Sequence, residues 1–292
     1  MGVRINRTIE LLAADQPVYY TGAHAGHILT YDQGLADAAT WADYINVGME
    51  HGAFNLGGLE EYMHGLVDGK TASGHRSPTV IVEAPVEGTS EEIVRYNAWQ
   101  FRQILGRGVH GIVLCQVESA SAVRTFVESC RYPVNDIGIG EGLGVGKRGV
   151  GSEPVCAGIW GVDHDTYVAT ADPWPLNSQG ELLLGLKIES VKALPHIEEI
   201  LSVPGIGFAE MGPGDLSMSL GYPSMPHPWP EQMQETQERV KAACIQNRVA
   251  FLDVATKNNV RDKIHAGVRV IAGGVEEIAQ IGRAYSGRTM PV

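Results

Sequence analysis

The chain has 292 residues, 44% hydrophobic and 19% charged, the balance of a soluble globular protein. Its formal net charge is −12 and it has no basic cluster, which argues against nucleic acid or an anionic membrane as a partner. No apolar run approaches the roughly 20 residues of a membrane span. Met1–Asn6 lacks a signal-peptide core, and Asn6 spoils a myristoylation pattern. Cys115, Cys130, Cys156 and Cys244 show no metal-ligand spacing, so reduced thiols in a cytoplasmic protein are expected.

Short apolar runs alternate with amphipathic stretches, the rhythm of βα repetition. Asn6–Ala14 reads as a short helix closing the bottom of a barrel. The first four strands are expected at Pro17–Ala23, Tyr44–Glu50, Thr79–Pro85 and Gly111–Val117. Thr89-Ser90-Glu91-Glu92 opens a helix with a hydroxyl cap and early acids, and Ile93, Phe101, Ile104 and Leu105 form its apolar face. The last four strands are expected at Leu183–Glu189, Gly207–Pro213, Val249–Ala255 and Val268–Gly274. Ser190 to Gly205 reads as one helix with a kink at Pro195, and Gln232–Gln246 as another. Continuous Val/Ile/Leu runs suit strands covered on both faces. The predicted fold is α/β, a closed (β/α)8 TIM barrel forming one domain over residues 1–292.

One stretch departs from that rhythm. About sixty residues lie between strands four and five, far more than a loop and helix need. The extended insertion, about residues 131–181, holds the glycine-rich run Gly138–Gly146, then Trp160, Tyr167 and Asp172-Pro173-Trp174-Pro175-Leu176-Asn177. The glycines match a loose dinucleotide-binding pattern, but neither a following amphipathic helix nor an acid about 20 residues on completes it. The segment reads as an active-site loop or an interface insertion.

Barrels of this kind carry their chemistry at the C-terminal strand ends. Those ends offer His24 and His27, Glu50-His51-Gly52, Glu83, Gln116 and Glu118, Lys187 and Glu189, then Asp215, Asp253 and Gly273-Gly274. Glu189 and Asp215 close the fifth and sixth apolar runs, so two hard oxygen ligands converge as Mg²⁺ or Mn²⁺ requires; the bland alternative is two solvated loop acids. His51, followed by a glycine that lets a ligand approach, is a candidate base or a histidine satisfied by a backbone carbonyl. Lys187 shares a strand face with Glu189. It reads as a carboxylate anchor, a Schiff-base nucleophile, or the partner of Glu83 in a structural pair.

Glu50-His51-Gly52, Arg131-Tyr132-Pro133, Lys187-Ile188-Glu189-Ser190, Gly212-Pro213-Gly214-Asp215-Leu216-Ser217 and Leu220-Gly221-Tyr222 together resemble the class II pyruvate-dependent aldolases of the HpcH/HpaI and citrate-lyase type. The resemblance runs from about Thr8 to Gly274. It implies a carbon–carbon lyase in the catabolism of aromatic compounds or sugar acids, acting on a 2-oxo acid and an aldehyde through a metal-bound enolate. The implied cofactor is Mg²⁺, Mn²⁺ or Co²⁺ on Glu189 and Asp215, with His51 shuttling the proton of the C4 hydroxyl. The implied substrate contacts are Lys187, Gly212, Pro213 and Gly214, and the implied assembly is a homo-oligomer, hexamer or dimer. Three positions depart from the family pattern. Glu83 stands at or beside the usual arginine, Lys187 replaces a glutamine, and Gly48 replaces the aspartate that supports the histidine. Lys187 thereby inherits the cationic role, with Arg76 or Arg148 as further contributors, and Glu83 and Lys187 join His51 as candidate catalytic residues. The aromatic insertion implies a bulky acceptor pocket. A citrate-lyase-like acyl-CoA lyase, a catalytically altered metal-binding member and a Schiff-base aldolase are the competing readings.

Overall fold

The apolar runs pair in the order in which they follow one another. In the computed structural model, which describes residues 4–288, parallel strands span Val18–Ala23, Tyr44–Gly48, Thr79–Glu87, Gly111–Cys115, Leu182–Ile188, Phe208–Met211, Ala250–Val254 and Val268–Ala272. Each bonds its neighbour in this series. The eighth closes on the first through Val18 against Val270 and Tyr19 against Ile271, completing a (β/α)8 barrel. Met1–Val3, on which part of the N-terminal reading rests, lie outside the described residues. Among the described residues no helix is long and apolar enough to cross a membrane.

Two apolar layers result from the alternation of strand side chains. One lies between the strands and the surrounding helices. The other fills the barrel interior with Tyr20, Tyr44, Ile81, Val113, Leu183, Phe208, Leu252 and Val270. Tyr20 stacks on Tyr44 with ring centroids 4.9 Å apart. Gly185 makes room for the Phe208 ring, whose nearest atom would lie 2.4 Å from a Cβ there. The helix Arg7–Ala13 plugs the foot as expected: Asn6 caps it by accepting from the Ile9 amide, and donates to the His110 carbonyl at 3.2 Å.

Local chemistry shortens some predicted elements. The sixth strand stops at Met211 because Gly212 caps, and Pro213 begins, the helix Pro213–Ser219; proline suits that first position. The stretch after strand five is not one helix. It forms a 3₁₀ helix, Val191–His196, then a short α-helix, Ile197–Leu201. Pro195 lacks an amide proton and crowds the preceding turn, so the tighter winding takes over. Ser90 caps Glu91–Leu105 as predicted, but Ile93 is 41% exposed and Val94 occupies the core side instead.

The segment from Arg131 to Glu181 does not reach the barrel mouth. It carries helices Glu153–Trp160 and His164–Thr170 and a two-residue strand, Pro173–Trp174, on the outer edge of strand five. Trp160 donates to the Gly108 carbonyl at 2.9 Å and stacks on His110, both just before strand four. Burial pushes the His110 imidazole down to about 3, so it packs as a neutral ring. Arg131 and Asp172 are fully buried and joined bidentately at 2.6 and 3.1 Å. The expectations of an active-site loop and of a bulky aromatic acceptor pocket are therefore corrected: these aromatic rings are packed around the foot and flank. Arg148 lies over Tyr132 and bonds Tyr167, and Arg76 donates to the Gly158 and Ile159 carbonyls, so neither lines the mouth cavity.

Asp172→Ala leaves the Arg131 guanidinium buried without its carboxylate, and should destabilise the fold by about 3–5 kcal/mol. Urea unfolding of parent and variant measures it; a loss below about 1 kcal/mol would place the pair among weakly coupled surface bridges.

Candidate active site

The C-terminal strand ends surround a cavity of about 310 Å³ lined by Tyr20, His24, His51, Lys187, Glu189, Glu210 and Gly212–Asp215. A cavity of about 320 Å³ at the foot holds Arg269 tied to Asp15, without a comparable group of converging acids. The sequence-predicted residues His51, Lys187, Glu189, Gly212, Pro213, Gly214 and Asp215 thus come together on one wall or another of the mouth. Glu83 lies just beneath, buried. Asp253 does not join them: it pairs with Lys263 and Gln237 toward the helices.

Lys187 is the central cation. Strand alternation turns it into the barrel, where its Nζ meets Glu50 Oε2 at 2.6 Å and Glu83 Oε2 at 3.2 Å. Burial alone would lower its pKa, but the surrounding groups, Cys115 and then Glu83, Glu210 and Glu189, outweigh burial and raise it. Lys187 is therefore a fixed ammonium. Glu83 is held from its other side by His24 Nδ1 at 2.7 Å and Asn46 Nδ2 at 3.0 Å. Burial would raise the Glu83 carboxyl, yet His24, Lys187 and Asn46 together hold it below its usual range. In return, the Glu83 hydrogen bond raises the His24 imidazole.

Glu189 is anchored by backbone. Its Oε1 accepts the Gln116 amide at 2.8 Å, and Gln116 sits at φ 51°, a conformation costly for a residue with a Cβ. A Cβ on Gly212 would lie 2.2 Å from Glu189 Oε2, so glycine alone lets the Pro213–Ser219 helix start against that carboxylate. Asp215 sits in the first turn of this helix rather than at the strand end. Burial pushes the Glu189 carboxyl up to about 8 and Glu210 up to about 7.

Donor atoms of Glu50, His51 and Asp215 lie within 4.8 Å of one another, as do those of Glu50, Cys115 and Glu189. Burial raises the Cys115 thiol well above its usual value, which leaves oxygen as the chemistry of the set. Glu50 and Glu83 contact Lys187, and Glu189, Glu210 and Asp215 line the cavity beside it; so many carboxyl groups around one lysine fit a hard divalent cation, whose charge would displace the protons that burial leaves on Glu189 and Glu210. Sequence reasoning noted Glu50 without giving it a role, and overlooked Glu210 and the link from His24 to Glu83. The signal for Glu210 was present: an acid inside the apolar strand Phe208–Met211, in register with Lys187. His24 gave no such signal, since only the tertiary fold brings strand one's end to Glu83.

The family profile described as HpcH/HpaI aldolase/citrate lyase matches residues 75–281, a span that includes Lys187, Glu189 and Asp215. The chain belongs to the HpcH/HpaI aldolase/citrate lyase family. It is 32% identical over 194 residues to 2-keto-3-deoxy-L-rhamnonate aldolases of Escherichia coli, strain K12 among them. That match covers 66% of this chain and 62% of those relatives, so the chain spans less than two thirds of their length. Two solved structures share the fold. A HpcH/HpaI aldolase/citrate lyase family protein from Burkholderia cenocepacia J2315 aligns with TM-score 0.69 at 20% identity, covering 96% of each chain. A HpcH/HpaI aldolase from Desulfitobacterium hafniense DCB-2 aligns with TM-score 0.65 at 23% identity, covering 96% of this chain and 95% of that one.

In this family member the raised Glu210 carboxyl carries a pH signature. A carboxyl that holds its proton more tightly when folded adds stability below its unfolded value, and that contribution is lost as pH rises through about 7. Glu210→Gln cannot ionise, so its melting temperature should gain on the parent's as pH rises from 5 to about 7. Melting curves that stay parallel across that window would show Glu210 to be an ordinary solvated acid.

Proposed function

We propose that the chain is a divalent-metal-dependent class II aldolase, a carbon–carbon lyase that interconverts a 4-hydroxy-2-oxo acid with a 2-oxo acid and an aldehyde. One observation carries the reading: Glu189 and Asp215 both line the mouth cavity, and Glu50 brings a donor atom within 4.8 Å of each of them. Glu189 and Asp215 would hold the ion, Mg²⁺, Mn²⁺ or Co²⁺ by the hardness of the donors. When bound, such an ion supplies Lewis acidity at the 2-oxo group, where negative charge grows as the carbon–carbon bond breaks.

The protein's own residues supply position and proton transfer. Gly212 lets Glu189 pack against the helix start, and a Cβ at Gly214 would meet nothing within 4 Å, which suits close approach of a small acid. His51, with Nε2 3.5 Å from Glu50 and 3.9 Å from Asp215, stands over the same wall and suits proton exchange at C3 of the donor. Lys187 holds Glu50 and Glu83 in place as a charged strut.

The name of the Escherichia coli relatives points to a 2-keto-3-deoxy sugar acid as the substrate class. Cleaving C3–C4 of such a compound yields pyruvate and a hydroxyaldehyde, both within the scale of the cavity. The apolar residues left open on the Glu91–Leu105 helix, Ile93, Tyr96 and Trp99, suit assembly with further copies. We place the enzyme in the cytoplasm.

Exchange of the pyruvate methyl protons with D₂O, followed by NMR, tests the reading directly. It should require Mg²⁺, Mn²⁺ or Co²⁺, stop with EDTA, and be lost in Glu189→Gln and Asp215→Asn with the circular dichroism unchanged; exchange that persists in either variant would sink it. A Schiff-base route needs a neutral lysine amine, which the raised Lys187 pKa opposes. Borohydride added with pyruvate should leave the chain mass unaltered; an adduct on Lys187 would reverse that assignment.

A further inference from the structure

Two histidines open onto the mouth cavity, and they are held differently. Among the described residues His51 makes only ion-pair contacts, at 3.5 and 3.9 Å, to acids that belong to the cation donor group. His24 donates or accepts at Nδ1 with Glu83 Oε1 at 2.7 Å, while half of its side chain is open to the cavity. Glu83 is itself fixed by Lys187 and Asn46. With Glu83 ionised, Nδ1 carries the proton, and the second ring nitrogen, Nε2, is left as a base without a partner among the described residues.

The approach of His24 depends on Gly48. A Cβ at that position would lie 1.9 Å from the His24 carbonyl oxygen and 2.6 Å from that of Ala23, so any larger residue would push the end of strand one away. Gly48 also pairs with Glu83 across strands two and three, which sets the carboxylate beside the loop it must meet. A missing side chain on one strand thus permits a carboxylate–imidazole pair between its two neighbours.

We propose that His24, oriented by Glu83, is the acid–base residue that serves the C4 hydroxyl of the substrate. The inference rests on the aldolase reading above and gives His24 the role that family resemblance assigns to His51. Strands one and five face each other across the closed ring, so His24 stands opposite Glu189. A substrate whose 2-oxo end lies at Glu189 and Asp215 extends its later carbons toward His24. In cleavage, Nε2 takes the hydroxyl proton and the O–H electron pair forms the C4 carbonyl. The C3–C4 bond breaks with its pair passing to C3 and the C2 oxygen as an enolate. The imidazolium, paired with Glu83, gives its proton to water as the aldehyde leaves. C3 takes one proton from the His51 side, which restores the count.

The metal-supplemented full chain provides the test, with a 2-keto-3-deoxy sugar acid for cleavage and pyruvate for proton exchange. His24→Asn should lose about 10²–10⁴-fold in cleavage while metal-dependent exchange at the pyruvate methyl is little changed. Added imidazole should restore part of the cleavage in His24→Ala. Glu83 acts as a positioning residue: in ¹⁵N NMR of the metal-free chain, recorded above the pH at which His24 titrates, His24 should be a single Nδ1–H tautomer, and Glu83→Gln or the gentler Asn46→Ala should mix the tautomers. Cleavage near the parent rate in His24→Asn, or loss of exchange together with cleavage, would overturn the assignment to the C4 hydroxyl. A parent chain that neither exchanges nor cleaves would instead remove the aldolase reading, and this inference with it.

Discussion

The site is organised around one buried ammonium. Lys187 lies between Glu50 from the end of strand two and Glu83 on strand three, and these two carboxylates determine what their neighbours can do. Each ion would be costly alone in the barrel, and each is retained because its partners are near and hydrogen-bonded. The Tyr20, Tyr44 and Phe208 rings fill the space beneath, which keeps water from that side and strengthens every charge–charge interaction above. Lys187 contacts only Glu50 and Glu83. Glu189, Glu210 and Asp215 form the remaining wall, where burial keeps the first two protonated near neutrality and a divalent cation is the natural complement.

Backbone geometry fixes that wall as firmly as charge does. Gln116 adopts a left-handed conformation to aim its amide at Glu189, and Gly212 lets a helix begin in contact with the same carboxylate. Both features restrict Glu189 before any ligand arrives, so little ordering remains to be done on binding. Gly48 does comparable work on the other side, where its lack of a Cβ admits the His24 carbonyl. The cavity is shaped by three places where side chains are absent or the backbone is held in an uncommon conformation.

These features differ in how far they can be read from the chain. The strands were legible because a strand covered on both faces is mostly apolar, and each of the runs from Val18 to Ala272 is, with single polar residues such as Asn46, Lys187 and Glu210 among the apolar ones. The place of Glu189 at the mouth was legible because it ends an apolar run, whereas Asp215 reaches the same cavity from the first turn of the following helix. The helix after Ser190 was misread because its periodicity is real while Pro195 controls the winding. The active-site alternative for residues 131–181 failed because length and aromatic content say nothing about which end of a barrel a segment covers. The contact of His24 was not legible for a related reason: it is a bond to Glu83, fifty-nine positions away, and depends on a glycine on a third strand.

The two ends of the barrel divide the work. At the foot, charges are matched: Arg131 with Asp172, Asp43 with Arg283 and Arg288, Glu181 with Arg4 and the Asn6 amide. The aromatic segment packs Trp160 against Tyr167 and His110 on the same side. At the mouth, carboxyl groups outnumber cations, and burial leaves two of them, Glu189 and Glu210, holding protons near neutrality. A fold that placed both demands at one end would have to satisfy and leave unsatisfied the same groups. Because the strands run parallel, every N-terminal end is available for closure and every C-terminal end for chemistry. The long segment before strand five can therefore reinforce the foot without entering the cavity, and the acids at the mouth can remain open to a cation and substrate.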